Sequence, residues 1–254
     1  MSAAGRLTIV GLGPGPAGWV TPAASSAVAA ASHILGYEPY VARLSPSGDQ
    51  SVIASGNGVE LERAADALAL AALGHTVVLV SGGDPGVFAM ASAVFEAIER
   101  GPPVWRGLDV RVEPGVSAML AAASRIGAPL GADFCAISLS DNLKPWDVIA
   151  RRLTLAAQAD LVIALYNPAS RARPEQIKLA FAVLSVVHPG EVPVVIARAA
   201  GRDDELITVT TLNEAPHQAI DMRTLVIVGS SATRTIARGD GRMWVYSPRT
   251  VRAP

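Results

Sequence analysis

Three short segments rich in glycine and proline are places where this chain could bring its backbone against a ligand. They are Gly11-Leu12-Gly13-Pro14-Gly15-Pro16-Ala17-Gly18, Ser81-Gly82-Gly83-Asp84-Pro85-Gly86 and Pro114-Gly115-Val116-Ser117-Ala118. Glycine permits close approach and positive φ, whereas proline stiffens a turn and deletes a donor. A loop of that make-up suits an uncharged purine or a large flat ring better than a run of phosphates. Residues Gly13 to Gly18 also spell the G-x-G-x-x-G of dinucleotide folds, and Glu38 lies about the right distance downstream for a ribose-binding acid. In those folds, however, the pyrophosphate rests on free N–H groups where a helix begins inside the motif. Here Pro14 and Pro16 each remove a donor, and Pro22 fits the first position of a helix that starts several residues too late. None of the loops resembles a P-loop. Each loop alone could be a plain strand-to-helix turn, with Asp84 capping the helix that follows. Three at successive strand ends make a site for a nucleoside-like cofactor without a phosphate chain.

The elements that would carry these loops are legible as alternation. Leu7 to Val10, His33 to Tyr37, Ser51 to Ala54, Thr76 to Val80 and Asp109 to Glu113 are β-branched or apolar runs. Helical patterns separate them: one opens at Thr21-Pro22, one spans Val59 to Leu73 and stops at Gly74, and one runs through Val87, Met90 and Phe95. Such alternation predicts βαβ units and a parallel sheet. Beyond Pro114 strands are expected at Phe134 to Leu139, Leu161 to Tyr166 and Val192 to Arg198, with helices opening at Pro145-Trp146 and Pro174. Residues 194–197 and 206–211 face each other across Gly201-Arg202-Asp203-Asp204, a hairpin signal that brings in antiparallel pairing, and further strands follow at Thr224 to Val228 and Met243 to Tyr246. The expectation is α/β, with a parallel-sheet domain over 1–114 and a mixed-sheet domain over 115–254.

Bulk properties exclude several classes of function. The chain has 254 residues, half of them apolar, and a net charge of −1, which disfavours nucleic acid as a partner. Glycine, proline or a charge interrupts each apolar stretch before the roughly 18 to 20 residues a membrane span needs. The run Met1-Ser2-Ala3-Ala4-Gly5-Arg6 leads straight into the first strand and leaves no room for a signal peptide, which predicts a cytoplasmic protein. His33, His75, His188 and His217 are far apart and the lone Cys135 sits in an apolar run, so no protein metal site is expected and Cys135 reads as a small core residue.

In order, Gly13-Pro14-Gly15, Gly82-Gly83-Asp84-Pro85 and Pro114-Gly115-Val116-Ser117-Ala118 resemble the signature of the tetrapyrrole methylase family, which includes uroporphyrinogen, precorrin and diphthine methyltransferases. Leu35-Gly36-Tyr37-Glu38-Pro39-Tyr40, the segment Ser138 to Trp146, Ala164-Leu165-Tyr166-Asn167-Pro168, Arg173-Pro174-Glu175-Gln176 and Ala200-Gly201-Arg202 are similar to the branch acting on corrin precursors. Asn142 and Lys144 depart from what that branch often carries there, which bears on local substrate contacts.

The resemblance implies a homodimer of two α/β domains, with S-adenosylmethionine in the cleft between them and a tetrapyrrole, a precorrin, beside it. It places the cofactor on Pro14, Gly82, Gly83, Asp84, Val87, Ser117, Ala118, Asn167 and Ala200. It implies methylation at ring carbon C17 followed by ring contraction, a step that benefits from a general acid or base. Asp141 and Lys144 are the candidates for that role, against the alternative that Asp141 merely caps the Pro145 helix. Arg43, Arg63, Arg198 and Arg202 are candidates for the substrate's carboxylates, each otherwise a solvated charge. The rival readings are a nicotinamide oxidoreductase, a non-catalytic tetrapyrrole carrier, and a methyltransferase whose substrate already holds cobalt.

Overall fold

The computed structural model describes residues 5–170 and 172–250. Met1 to Ala4, part of the segment from which the leaderless start was read, lie outside them. The chain divides into two compact units, Met1–Ala118 and Met119–Pro254.

The first unit runs β1 (Arg6–Gly11), α1 (Pro22–Ala30), β2 (His33–Tyr37), α2 (Glu38–Val41), β3 (Ser51–Ser55), α3 (Glu60–Ala72), β4 (Thr76–Ser81), α4 (Met90–Arg100) and β5 (Asp109–Glu113). Its strands form one sheet in the order β3-β2-β4-β1-β5, and every pairing is parallel. A sheet buried on both faces draws near-continuous apolar runs into its central strands. β1 and β4 supply them: Leu7, Ile9, Val77 and Leu79 pack with α3 and α4, while Val10, Val78 and Val80 pack with Ala24 of α1 and Val41 of α2. Each large side chain so buried contributes about 1.5–3 kcal/mol. Thr21 caps α1 as its position before Pro22 predicts, its hydroxyl accepting from Ala24 N at 3.1 Å. The helix expected through Val87 begins only at Met90, because Phe88 takes a φ of 51° and Ala89 is extended. Val87 therefore belongs to the turn.

The second unit contains α5 (Ala118–Ile126, its first residue at the boundary), β6 (Gly127–Ala128), β7 (Phe134–Ser138), α6 (Trp146–Gln158), β8 (Val162–Tyr166), α7 (Gln176–Leu184), β9 (Pro193–Arg198), β10 (Leu206–Thr211), β11 (Thr224–Val228), β12 (Arg234–Ala237) and β13 (Met243–Tyr246). Its main sheet, β10-β9-β11-β8-β7, is mixed: β7 and β8 are parallel, and β11 is antiparallel to both β8 and β9. The hairpin read from Gly201 to Asp204 pairs Leu206 with Arg198 and Thr211 with Pro193. Ile163, Leu165, Ile196 and Val226 pack beneath Ile149 and Leu153 of α6 and Phe181 of α7. Cys135 packs against this core, and burial raises its thiol pKa. A three-stranded sheet, β12-β13-β6, was not foreseen.

Candidate functional site

The order β3-β2-β4-β1-β5 makes β4, β1 and β5 neighbours, so the three glycine loops leave the carboxyl ends of three adjacent strands. The chain turns from β1 toward β2 on one side and from β4 toward β5 on the other, the arrangement that opens a ligand site in parallel sheets. The loops are joined to one another. Gly13 and Gly83 form an isolated antiparallel bridge, Gly13 N donating to Gly83 O at 3.2 Å and Gly83 N to Gly13 O at 3.1 Å. Both residues have positive φ, 62° and 64°, which glycine adopts at no steric cost. A Cβ on Gly11 would lie 2.6 Å from Gly83 O and 2.7 Å from Gly115 N, and one on Gly115 would strike Gly83 O and Gly11. Backbone thus packs directly on backbone at the meeting point of all three loops.

Asp84 locks the second loop to the third. Its Oδ1 accepts from Gly86 N at 2.8 Å and its Oδ2 from Gly115 N at 3.0 Å. It does not cap α4, which starts six residues later. A Cβ on Gly82 would stand 2.5 and 2.6 Å from ring carbons of Tyr40 and 2.8 Å from its hydroxyl oxygen. Pro14 and Val87 are half-buried on their loops. Ser117 is 3% exposed, and its Oγ has no hydrogen-bond partner among the described residues. A buried hydroxyl without a partner costs free energy, so Ser117 Oγ is a vacant polar contact at the end of the third loop, beside Ala118.

The four candidate arginines differ in what surrounds them. Arg43 donates to three carbonyls of the first loop: Leu12 O at 2.6 Å, Gly13 O at 2.9 Å and Gly15 O at 3.0 Å. Arg63 is buried, bonded to Ser55 Oγ, Gly56 O and Met90 Sδ. Arg198 is paired with Asp221 and Asp204. Arg43 and Arg63 are therefore structural cations, while Arg202 sits exposed in the hairpin turn.

In the second unit the predicted residues cluster at the carboxyl ends of β7 and β8. Asn167, at φ 52°, donates from Nδ2 to the buried Ser138 Oγ at 2.9 Å, and Tyr166 Oη accepts from Met119 N at 3.1 Å. Asp141 does not cap α6, whose N-cap is Pro145 with no side-chain bond. Instead Asp141 Oδ2 accepts from Gln176 Nε2 at 3.0 Å, and Oδ1 faces Arg173 Nε at 3.7 Å. Arg173 also reaches Leu139 O at 3.4 Å. Lys144 Nζ donates to Ser140 O at 3.3 Å; burial lowers its pKa, Arg152 and Arg173 lower it further, and Asp141 opposes them. Asp141 and Lys144 thus belong to one network, anchored by Arg173 and Gln176 in a segment quoted above only as a motif. Ala200 is buried in the turn after β9, next to Ala199 at φ 52°. Among the described residues no set of three His, Cys, Asp or Glu could hold a metal ion, and no helix is long and apolar enough to cross a membrane.

Sequence reasoning missed Arg43 and Tyr40 as supports of the loops, and Ser138 as the partner of Asn167. A loop whose prolines leave its carbonyls without donors needs a cation from elsewhere, and that need was the available signal for Arg43.

Comparison with known proteins agrees with this geometry. Residues 6–216 match the model of the tetrapyrrole (corrin/porphyrin) methylases. The chain is 57% identical over 245 residues to a precorrin-3B C(17)-methyltransferase of Sinorhizobium sp, covering 96% of each chain. It is 41% identical over 228 residues to a probable cobalt-factor III C(17)-methyltransferase of Salmonella typhimurium, covering 89% of this chain and 93% of that one. The crystal structure of the methyltransferase CobJ matches with a TM-score of 0.91 at 48% identity, over 96% of this chain and 100% of that one. The three joined loops, and a match spanning most of the sequence, place this chain in the tetrapyrrole methylase family.

Proposed function

We propose that this protein transfers a methyl group from S-adenosylmethionine to C17 of precorrin-3B, with contraction of the macrocycle, in cobalamin biosynthesis. The observation that carries the reading is the loop platform of the first unit. Gly13 and Gly83 spend their N–H groups on each other, and Pro14 and Pro16 have none, so phosphates find no cradle there. What remains is a backbone ledge with one buried hydroxyl, Ser117 Oγ, lacking a partner among the described residues. Those features fit a neutral nucleoside with polar edges. Pro14, Gly82, Gly83, Val87, Ser117 and Ala118 would hold it, with Asp84 fixing the ledge, and Asn167 and Ala200 are proposed contacts from the second unit. When bound, the cofactor supplies a methyl carbon on a sulfonium, open to in-line displacement.

The chain's own task is alignment and proton handling. A platform stiffened before ligand arrives holds its contacts at little cost in ordering, which is how positioning lowers a barrier. Lys144 and Asp141 are proposed as the acid and base of ring contraction: burial lowers the Lys144 pKa, which eases proton exchange from its ammonium, and Gln176 fixes the Asp141 carboxylate in place. Arginines 43 and 63 take no part in substrate binding on this reading.

The test is incubation of purified protein with S-adenosylmethionine and metal-free precorrin-3B, followed by mass and absorbance spectra. A product heavier by one methyl group with a contracted ring supports the proposal. Turnover of only a cobalt-containing substrate assigns the protein to the cobalt branch, and macrocycle binding without methyl transfer identifies a carrier. Quenching of tryptophan fluorescence by S-adenosylhomocysteine but not by NADH removes the oxidoreductase. A cytoplasmic homodimer is part of the same proposal, and sedimentation of the purified protein as a monomer would contradict its assembly state.

A further inference from the structure

The segment Leu35-Gly36-Tyr37-Glu38-Pro39-Tyr40 has no role in the chemistry above, yet the structure builds it against two of the three loops. Gly36 lets the end of β2 press against Val80 of β4 and Val41 of α2. α2 follows at once, with Pro39 in its first turn. Its Tyr40 lies on Gly82 of the second loop and meets Tyr37 edge-on at 5.3 Å between ring centroids. Just beyond α2, Arg43 N bonds Tyr40 O at 3.1 Å, and the Arg43 guanidinium spans Leu12 O, Gly13 O and Gly15 O of the first loop. One short helix and the turn after it therefore carry an aromatic ring for one loop and a cation for the other.

We infer that Arg43 and Tyr40 are positioning residues for the cofactor, setting its affinity by fixing the two loops without touching it. The inference rests on the reading that the loops bind S-adenosylmethionine. Three carbonyls drawn toward one point repel one another unless a cation lies among them. A guanidinium answers that geometry with several donors in a fixed plane, and an ammonium does not. With the Arg43 fork removed, Gly13 O keeps Gly83 N but loses its charged donor, and the Leu12 and Gly15 carbonyls lose theirs, so the pairing of Gly13 with Gly83 loosens. Tyr40 acts from the other side: a smaller residue leaves the space over Gly82 unfilled and frees the second loop to shift.

The experiment is calorimetric titration of S-adenosylhomocysteine into wild type, Arg43→Ala, Arg43→Lys and Tyr40→Leu, with Arg6→Ala as a control whose exposed guanidinium pairs with Asp109. Affinity is expected to fall about tenfold or more in Arg43→Ala, less in Arg43→Lys and Tyr40→Leu, and not in the control, the size expected when a charge-assisted contact is lost. Methylguanidinium at tens of millimolar should restore part of the affinity of Arg43→Ala and leave the others unchanged, a rescue that general destabilisation would not give. Affinity of Arg43→Ala within twofold of wild type, or absence of rescue, overturns the inference. If Arg43→Ala does not fold, Arg43→Lys decides: binding equal to wild type overturns it. Wild type that binds no S-adenosylhomocysteine overturns the cofactor reading and the inference together, an outcome distinct from the others.

Discussion

The two units solve the problem of holding a functional group in opposite ways. In the first, backbone holds backbone: Gly13 pairs with Gly83, Gly11 abuts Gly115, and Asp84 accepts from two main-chain N–H groups. In the second, side chains hold side chains: Gln176 and Arg173 flank Asp141, and Asn167 holds Ser138. A backbone ledge leaves little room for substitution and offers shape. A side-chain network tolerates more change and offers ionisable groups. On the proposed function, the first would bind the cofactor and the second would move protons.

That division of labour can be broken by experiment. The largest effect is expected from Gly115→Ala, whose added methyl strikes the Gly83 carbonyl. Overpacking should cost about 1–3 kcal/mol and abolish binding of S-adenosylhomocysteine, as read by thermal melting and by titration. Asp141→Asn should leave that binding unchanged and slow turnover by about a hundredfold, the scale of a lost acid or base; an unchanged steady-state rate would take Asp141 out of the mechanism. Asp84→Asn keeps one acceptor and turns an amide toward an N–H, so it should destabilise by about 1–3 kcal/mol and weaken the cofactor more than it slows saturated turnover.

Lys144→Arg sharpens the comparison further. It keeps the positive charge but removes a group whose pKa burial lowers, so the limb of the rate–pH profile that reports Lys144 should move up beyond the measurable range while cofactor affinity holds. The smallest effect concerns His188, which is buried, with its pKa lowered below 6.5 by burial against the opposing pull of Asp160. Because the unfolded chain takes up the proton more readily, stability is full above about pH 6.5 and declines as pH falls toward the folded value. Melting temperatures between neutral and mildly acidic pH should show the decline, and His188→Leu should flatten it.

The same contrast explains what the sequence made legible. Backbone sites are written in glycine and proline, whose meaning is local, so all three loops and the late start of α1 at Pro22 could be read directly. The parallel pairing of the first sheet followed from alternation. Side-chain sites depend on partners far along the chain. Gln176 lies on a helix remote in sequence from Asp141, and nothing at position 141 distinguishes a network member from a helix cap. Arg43 looked like Arg63 and Arg198, three cations suited to carboxylates, and only folding shows that one clasps a loop and another is buried under Met90. β6 escaped because two residues carry no period, and β12 because all four of its residues are exposed and show no alternation.

The bridge between Gly13 and Gly83 also limits how this molecule can vary. Loops elsewhere on a fold accept insertions because each is free of its neighbours. Here one residue added between Gly11 and Gly13, or between Ser81 and Gly83, would move the paired glycine out of register and break both hydrogen bonds at once. Either loop can change length by itself only beyond its paired glycine.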